Sequence, residues 1–400
     1  MDSSAQKQTV PSVSAIFRIG SIDAYRGFVM LLMMGEVLAF SSVAKKLPDS
    51  GFWKFLAYQQ SHAQWIGCTL HDLIQPSFVF LVGVALPYSL AKRMATGQPR
   101  WRQTAHAFGR ALTLVLLGVF LQSAHSDYTR WTFIDTLSQI GLGYGFLYLL
   151  GMRSVRVQWV AFALLLVGYW LLFALYPLPG AGFDWAAAGT QPERMLSGFA
   201  AHWSLGTNPA AAFDRWFVAL FPVERRAPNP AGYTTLNFIL TFATMILGLL
   251  AGGVLRGERT PAAKIRWFLI AGLGALALGW GLDAAGICPM IKKTRTPSFV
   301  LFSGGWCFLF LAFFYQVVDV WGCRKWAFPL IVLGMNSIAA YLISHVWAGF
   351  ISRAWLRHAG KVFFAFAGEP YERLTLGCAV LLTEWLLLWW MHRNTIFLRI

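Results

Sequence analysis

The feature that most constrains this chain is the recurrence of apolar runs long enough to cross a bilayer. Segments such as 297–318 and 328–346 reach the roughly 20 residues that a helix needs to cover about 30 Å of hydrocarbon. Hydropathy places ten of them, at 22–43, 69–91, 107–123, 133–152, 157–176, 234–255, 265–285, 297–318, 327–346 and 374–391. The expected fold class is all-α, a polytopic membrane helix bundle of about ten transmembrane helices. Composition points the same way: 57% of residues are hydrophobic and 12% charged, where a soluble surface needs about a quarter charged. Four hundred residues without an evident soluble portion divide into a polar, disordered cytoplasmic tail over 1–20 and one transmembrane domain over 21–400, with a long extracytoplasmic loop at about 177–233.

The net charge of +16 sits mainly between the apolar runs, where it reports orientation and contact with lipid headgroups. No compact basic domain remains to bind nucleic acid. Connections 92–106, 152–156, 256–266 and 321–325 each carry two or more Lys or Arg, so the positive-inside rule places both termini in the cytoplasm. In a bacterium the membrane would be the inner one. The first apolar run carries Asp23, Arg26 and Glu36 and ends without a small-residue cleavage pattern, which marks a retained helix. Five scattered cysteines do not make a disulfide framework. Oligomeric state is open, and a homo-oligomer is compatible with the sequence.

Ionisable residues inside membrane helices are costly unless paired or facing a wet cavity, so each is a functional hypothesis. The densest stretch is 60–93, in which His62, Trp65 and Gly67 lead into a helix that starts around Thr69 and Asp72, bends at Pro76 and closes with Lys92 and Arg93. Neutral imidazole takes a proton near neutrality, so His62 is a candidate general base, and Asp72 would hold its tautomer. Thr69 and Asp72 also have capping-box spacing, which would satisfy helix-start amides and nothing more. His71 is an equally available rival base. Cys68 lacks any neighbour in sequence that would depress its thiol pKa and make it a nucleophile.

Asp23 and Arg26, three residues apart on one helix face, form either a local ion pair or a substrate or phosphate contact. Glu36 lies ten residues beyond Arg26, about 15 Å along the axis, at the level expected for His62. Lys292, Lys293 and Arg295 could grip an anion or snorkel to headgroups. Asn336, Ser337, Tyr341 and His345 give one helix a polar stripe, read as interhelical glue or substrate contact, and Glu384 and the Asp135/Gln139 pair have the same two readings. Metal-ligand spacing, a phosphate-binding glycine loop and a nucleophile elbow are all missing from the sequence, so no metal is expected.

Five segments, SIDAYRGFVMLLMM, HAQWIGCTLHDLIQPSFVFLVGVAL, NPAGYTTLNFILTFATMILGLLAG, IKKTRTPSFVLFSGG and GMNSIAAYLISH, occur in the order of motifs in a known family. The chain resembles the heparan-alpha-glucosaminide N-acetyltransferase family and its bacterial relatives, within a wider superfamily of transmembrane acyltransferases. The resemblance implies transfer of an acetyl group from cytosolic acetyl-coenzyme A to an amine or hydroxyl of a sugar or glycan acceptor across the membrane. It implies a catalytic role for His62 and for Asp72. It sets Glu36, a third catalytic candidate, one position from the last polar residue of the family's first helix, an asparagine in the animal enzyme. Lys292 and Lys293 match the family's lysine-bearing turn. Asp23, Arg26, Trp65, Lys292, Lys293 and Asn336 are the candidate contacts to substrate or coenzyme A. The alternative from another class is a transporter or flippase of a glycan or lipid-linked precursor, since polar residues near the midplane and many glycines also suit a moving bundle.

Overall fold

The computed structural model describes residues 19–95, 97–124, 126–190, 195–221 and 232–398, and these fold mainly as helix. Hydrocarbon offers backbone N–H and C=O groups no partner, so each apolar run pairs them within itself. In chain order the helices are α1 (Gly20–Met34), α2 (Phe40–Lys46), α3 (Gly51–Gln59), α4 (Ile74–Ala95), α5 (Arg100–Ser123), α6 (Thr136–Gly151), α7 (Val155–Ala174), α8 (Trp185–Ala188), α9 (Pro209–Phe217), α10 (Asn237–Arg256), α11 (Pro261–Ala284), α12 (Pro297–Phe314), α13 (Arg324–Met335), α14 (Ser337–Ala359), α15 (Lys361–Phe364) and α16 (Glu372–Arg393).

Among the described residues, seven helices are long and apolar enough to cross a membrane, or nine spans if each of two bent pairs counts as one. One pair joins α1 and its following 3-10 turn to α2 at 40°, and the other joins α13 to α14 at 70°. The 16-residue α6 occupies the place of the expected segment 133–152. About ten membrane segments therefore agree with the fold, and the protein is an integral membrane protein. The expected disordered tail lies, up to residue 18, outside the described residues, while Gly20 already opens α1. Pro76 falls in the first turn of α4 and not at a bend: His71–Ala95 runs as one span. A first-turn position tolerates proline because its missing N–H has no intrahelical partner there.

Helices α4, α10 and α12 bury most of their surface, whereas α5, α7, α11 and α16 bury less than a third and present their leucines and isoleucines outward. The inner helices meet at backbone distance. A Cβ at Gly248 of α10 would overlap the carbonyl oxygen of Phe80 in α4, and one at Gly83 would overlap that of Met245. Small residues at such crossings give van der Waals contact that apolar side chains in lipid cannot supply by hydrophobicity alone. Tyr25 of α1 completes this centre, stacking on Phe314 at 5.5 Å and donating to Ser77 Oγ at 2.9 Å.

The expected long loop folds in part. Asn208 caps α9 by accepting from Ala211 N, with Pro209 at the first helical position. Both carboxylate oxygens of Asp214 accept from Thr235 N, at 3.1 and 2.9 Å, and so tie the loop to the entrance of α10. Residues 191–194 and 222–231, with the beginning of the NPAGY motif, lie outside the described residues.

Candidate active site

The segment after α3 is irregular, and the chain fixes it against a distant turn. Gly67, in a left-handed conformation at φ 116, donates its N–H to Met290 O at 2.9 Å, and Ile66 bridges Ile291 in antiparallel fashion. Lys292 is thereby carried to His62. A 3-10 turn, His71–Leu73, then leads into α4 and places Asp72 in full burial. Its two oxygens divide their work. Oδ2 accepts from Ala63 N, Thr69 N and Thr69 Oγ1, each at 3.1 Å. Oδ1 lies 2.8 Å from His62 Nδ1 and 3.0 Å from Lys292 Nζ. The capping and tautomer-holding readings of Asp72 thus both have a geometric counterpart, one on each oxygen.

Lys292 Nζ also lies 2.9 Å from His62 Nδ1, so that nitrogen either donates to Asp72 or accepts from the lysine. In the first tautomer Nε2 carries the free lone pair. Lys292 is 6% exposed. Burial pushes its ammonium pKa down, and the Asp72 carboxylate opposes that shift. A buried charge paired in this way belongs to the His62 cluster and is not a surface grip for an anion. Its neighbour Lys293 instead places Nζ 5.8 Å over the ring of Trp65, whose indole donates to Trp203 O at 3.2 Å. Burial raises the Cys68 thiol pKa, which leaves no thiolate nucleophile beside His62.

His62 opens onto a cavity of about 270 Å³ lined also by Glu36, His71, Gln75, Tyr233, Lys292, Tyr341 and His345. Glu36 Oε1 meets His71 Nε2 at 2.8 Å, and the His62 and His71 ring centroids are 4.6 Å apart. This second pair was not deducible by spacing, because its partners come from different helices. Tyr341 and His345, stacked at 4.1 Å, turn part of the polar stripe of α14 toward the cavity. The other sequence candidates lie elsewhere. Arg26 Nη1 is 3.3 Å from Asp23 Oδ1 and 3.5 Å from Gly334 O, in the first half of α1 and away from Glu36 beyond its end. Asn336 sits at the break between α13 and α14, donating to Ile396 O at 3.0 Å and accepting from Leu398 N at 3.1 Å.

No protein-family model matches the chain. It is 24% identical to the Homo sapiens heparan-alpha-glucosaminide N-acetyltransferase over 379 residues, which covers 84% of this chain and 54% of that protein. Against the Mus musculus protein of the same name it is 23% identical over 392 residues, 88% of this chain and 57% of that one. The chain spans little more than half the length of these curated relatives. Over that span it is a relative of the heparan-alpha-glucosaminide N-acetyltransferase family.

Proposed function

We propose that the protein is a membrane acetyltransferase that moves an acetyl group from acetyl-coenzyme A to an amine or hydroxyl of a sugar or glycan acceptor. The observation that carries this reading is the His62 imidazole, held through Nδ1 at 2.8 Å by a fully buried carboxylate while its ring is 45% exposed toward the cavity. A base must be fixed on one nitrogen and open on the other, and this arrangement supplies both. Asp72 holds the tautomer that frees Nε2, and Lys292 balances the Asp72 charge in its dry surroundings.

In this mechanism the acceptor attacks the thioester carbonyl carbon while its O–H or N–H bond breaks toward Nε2 of His62. As the carbon–sulfur bond breaks, Nε2 returns the proton to sulfur. Trp65, three residues after His62 and carrying Lys293 over its ring, is assigned to the acceptor side. Arg26 and Asp23, in the first half of α1, and Asn336, two residues beyond Gly334, are assigned to the phosphate-bearing end of the donor, where an arginine suits phosphate oxygens. Coenzyme A then enters from the cytoplasm, with both chain termini on that side, and the acceptor meets His62 from the opposite side. Mass spectrometry of glycans from membranes with and without the active protein tests this. Acetylated species that depend on the protein and on acetyl-coenzyme A are expected, and identical product profiles would count against it.

A further inference from the structure

The cavity contains two histidine–carboxylate pairs whose exposures are reversed. In the His62–Asp72 pair the ring is 45% exposed and the carboxylate 0%. In the His71–Glu36 pair the ring is 7% exposed and the carboxylate 59%. The first pair presents an imidazole, and the second presents a carboxylate. With the rings 4.6 Å apart, both address the same volume.

The position of Glu36 is fixed from several sides. α1 gives way to a 3-10 turn, Gly35–Leu38, and Ala39 then adopts a left-handed φ of 48°. A non-glycine residue persists in that region only where its surroundings impose it. Gln60, two residues before His62, imposes it: Nε2 donates to Gly35 O at 2.7 Å and Oε1 accepts from Phe40 N at 2.9 Å. α16 closes on the same turn at Gly377, where a Cβ would overlap the carbonyl oxygen of Val37. The segment that carries His62 therefore also sets Glu36.

We propose that Glu36, with His71 behind it, receives the ammonium form of an amine acceptor and removes the first of its two protons. This rests on the acyl-transfer reading above. An ammonium group must lose two protons to become an amide, whereas a hydroxyl loses one to become an ester. His62 accounts for a single proton, the one returned to sulfur, and its carboxylate partner is sealed from water. Glu36 is exposed and supplies the other exit. In the first step one N–H bond of the ammonium breaks, its electron pair stays on nitrogen, and the proton bonds to a Glu36 oxygen before leaving to water. The neutral amine then attacks the thioester carbonyl carbon, its next proton passes to His62 Nε2, and sulfur takes that proton as the carbon–sulfur bond breaks. The titratable groups facing Glu36 are His71 and His62, His345 and Tyr341 from α14, and Asp135, Tyr233 and Lys292 across the cavity.

The test uses the full chain in lipid vesicles, with D-glucosamine as acceptor probe and thiol release from acetyl-coenzyme A as readout. The quantity compared is kcat/KM for glucosamine in the wild type divided by that in Glu36→Gln, at each pH, so that pH effects common to both proteins cancel. This ratio should be about tenfold or more near pH 6.5, where the probe is largely ammonium, and approach one near pH 9, where it is neutral. His71→Asn should give the same slope at smaller amplitude and serves alone if Glu36→Gln does not insert. A ratio independent of pH would overturn the assignment. Wild-type protein that releases no thiol with glucosamine would instead remove the acyl-transfer reading beneath it.

Discussion

Asp72 concentrates the electrostatics of the site in one side chain. Replacing it by Asn keeps the shape but removes the charge that both orients His62 and balances Lys292. By analogy with other histidine bases deprived of their carboxylate, turnover should fall about 10²- to 10⁴-fold. Stability should also fall, by about 3–5 kcal/mol, because the buried lysine is left without its partner. Adding Lys292→Met should recover much of the stability and none of the turnover, a separation measured by thermal unfolding alongside thiol release. Recovery of both would show Asp72 to be structural. At this scale the sequence was partly legible. The Thr69–Asp72 spacing showed a helix cap, and the neighbouring histidine suggested a base, because both signals are local. Lys292 stands 230 residues from His62, and the Gly67–Met290 and Ile66–Ile291 contacts bring them together. Hydropathy and spacing carry no trace of such contacts, and the match of Lys292 came from resemblance to a family.

Helices were the most legible elements, since hydrocarbon demands an uninterrupted apolar run. Their ends were less so. The span expected to stop at 346 continues in α14 to Ala359, because Arg353 and Arg357 lower hydropathy without interrupting a helix. Asn336 was read as part of a polar stripe, yet at φ −130 and ψ 41 it breaks the helix between α13 and α14. Nothing in a single residue type distinguishes the two roles. The loop element yields a prediction through Asp214, whose carboxyl burial pushes up to about 6 from an ordinary 3.8. Between those values the folded chain binds more proton than the unfolded chain, so this group's contribution to stability declines as pH rises through that window. The unfolding temperature should therefore drop more from about pH 4 to about pH 7 in the wild type than in Asp214→Asn. Parallel curves for the two proteins would mean that the Asp214 carboxyl is not held in a dry site by the folded loop.

The whole molecule is a bundle whose inner helices α4, α10 and α12 carry the packing while the site assembles at their ends, from the entrance of α4 and the turn before α12. That division explains why composition revealed the membrane class at once but could not reveal the cavity. Apolar content is a sum over residues, whereas the cavity depends on where α1 breaks and where two connections touch. It also separates the Asp23–Arg26 pair, in the first half of α1, from Glu36 and the His62 cluster beyond the end of that helix. The most direct test puts acetyl-coenzyme A on one side of a vesicle membrane and D-glucosamine on the other, and follows thiol release by wild-type protein and by His62→Ala. Acceptor-dependent release should fall about 10²-fold or more in the variant while insertion is unchanged. Undiminished release by His62→Ala would contradict the account.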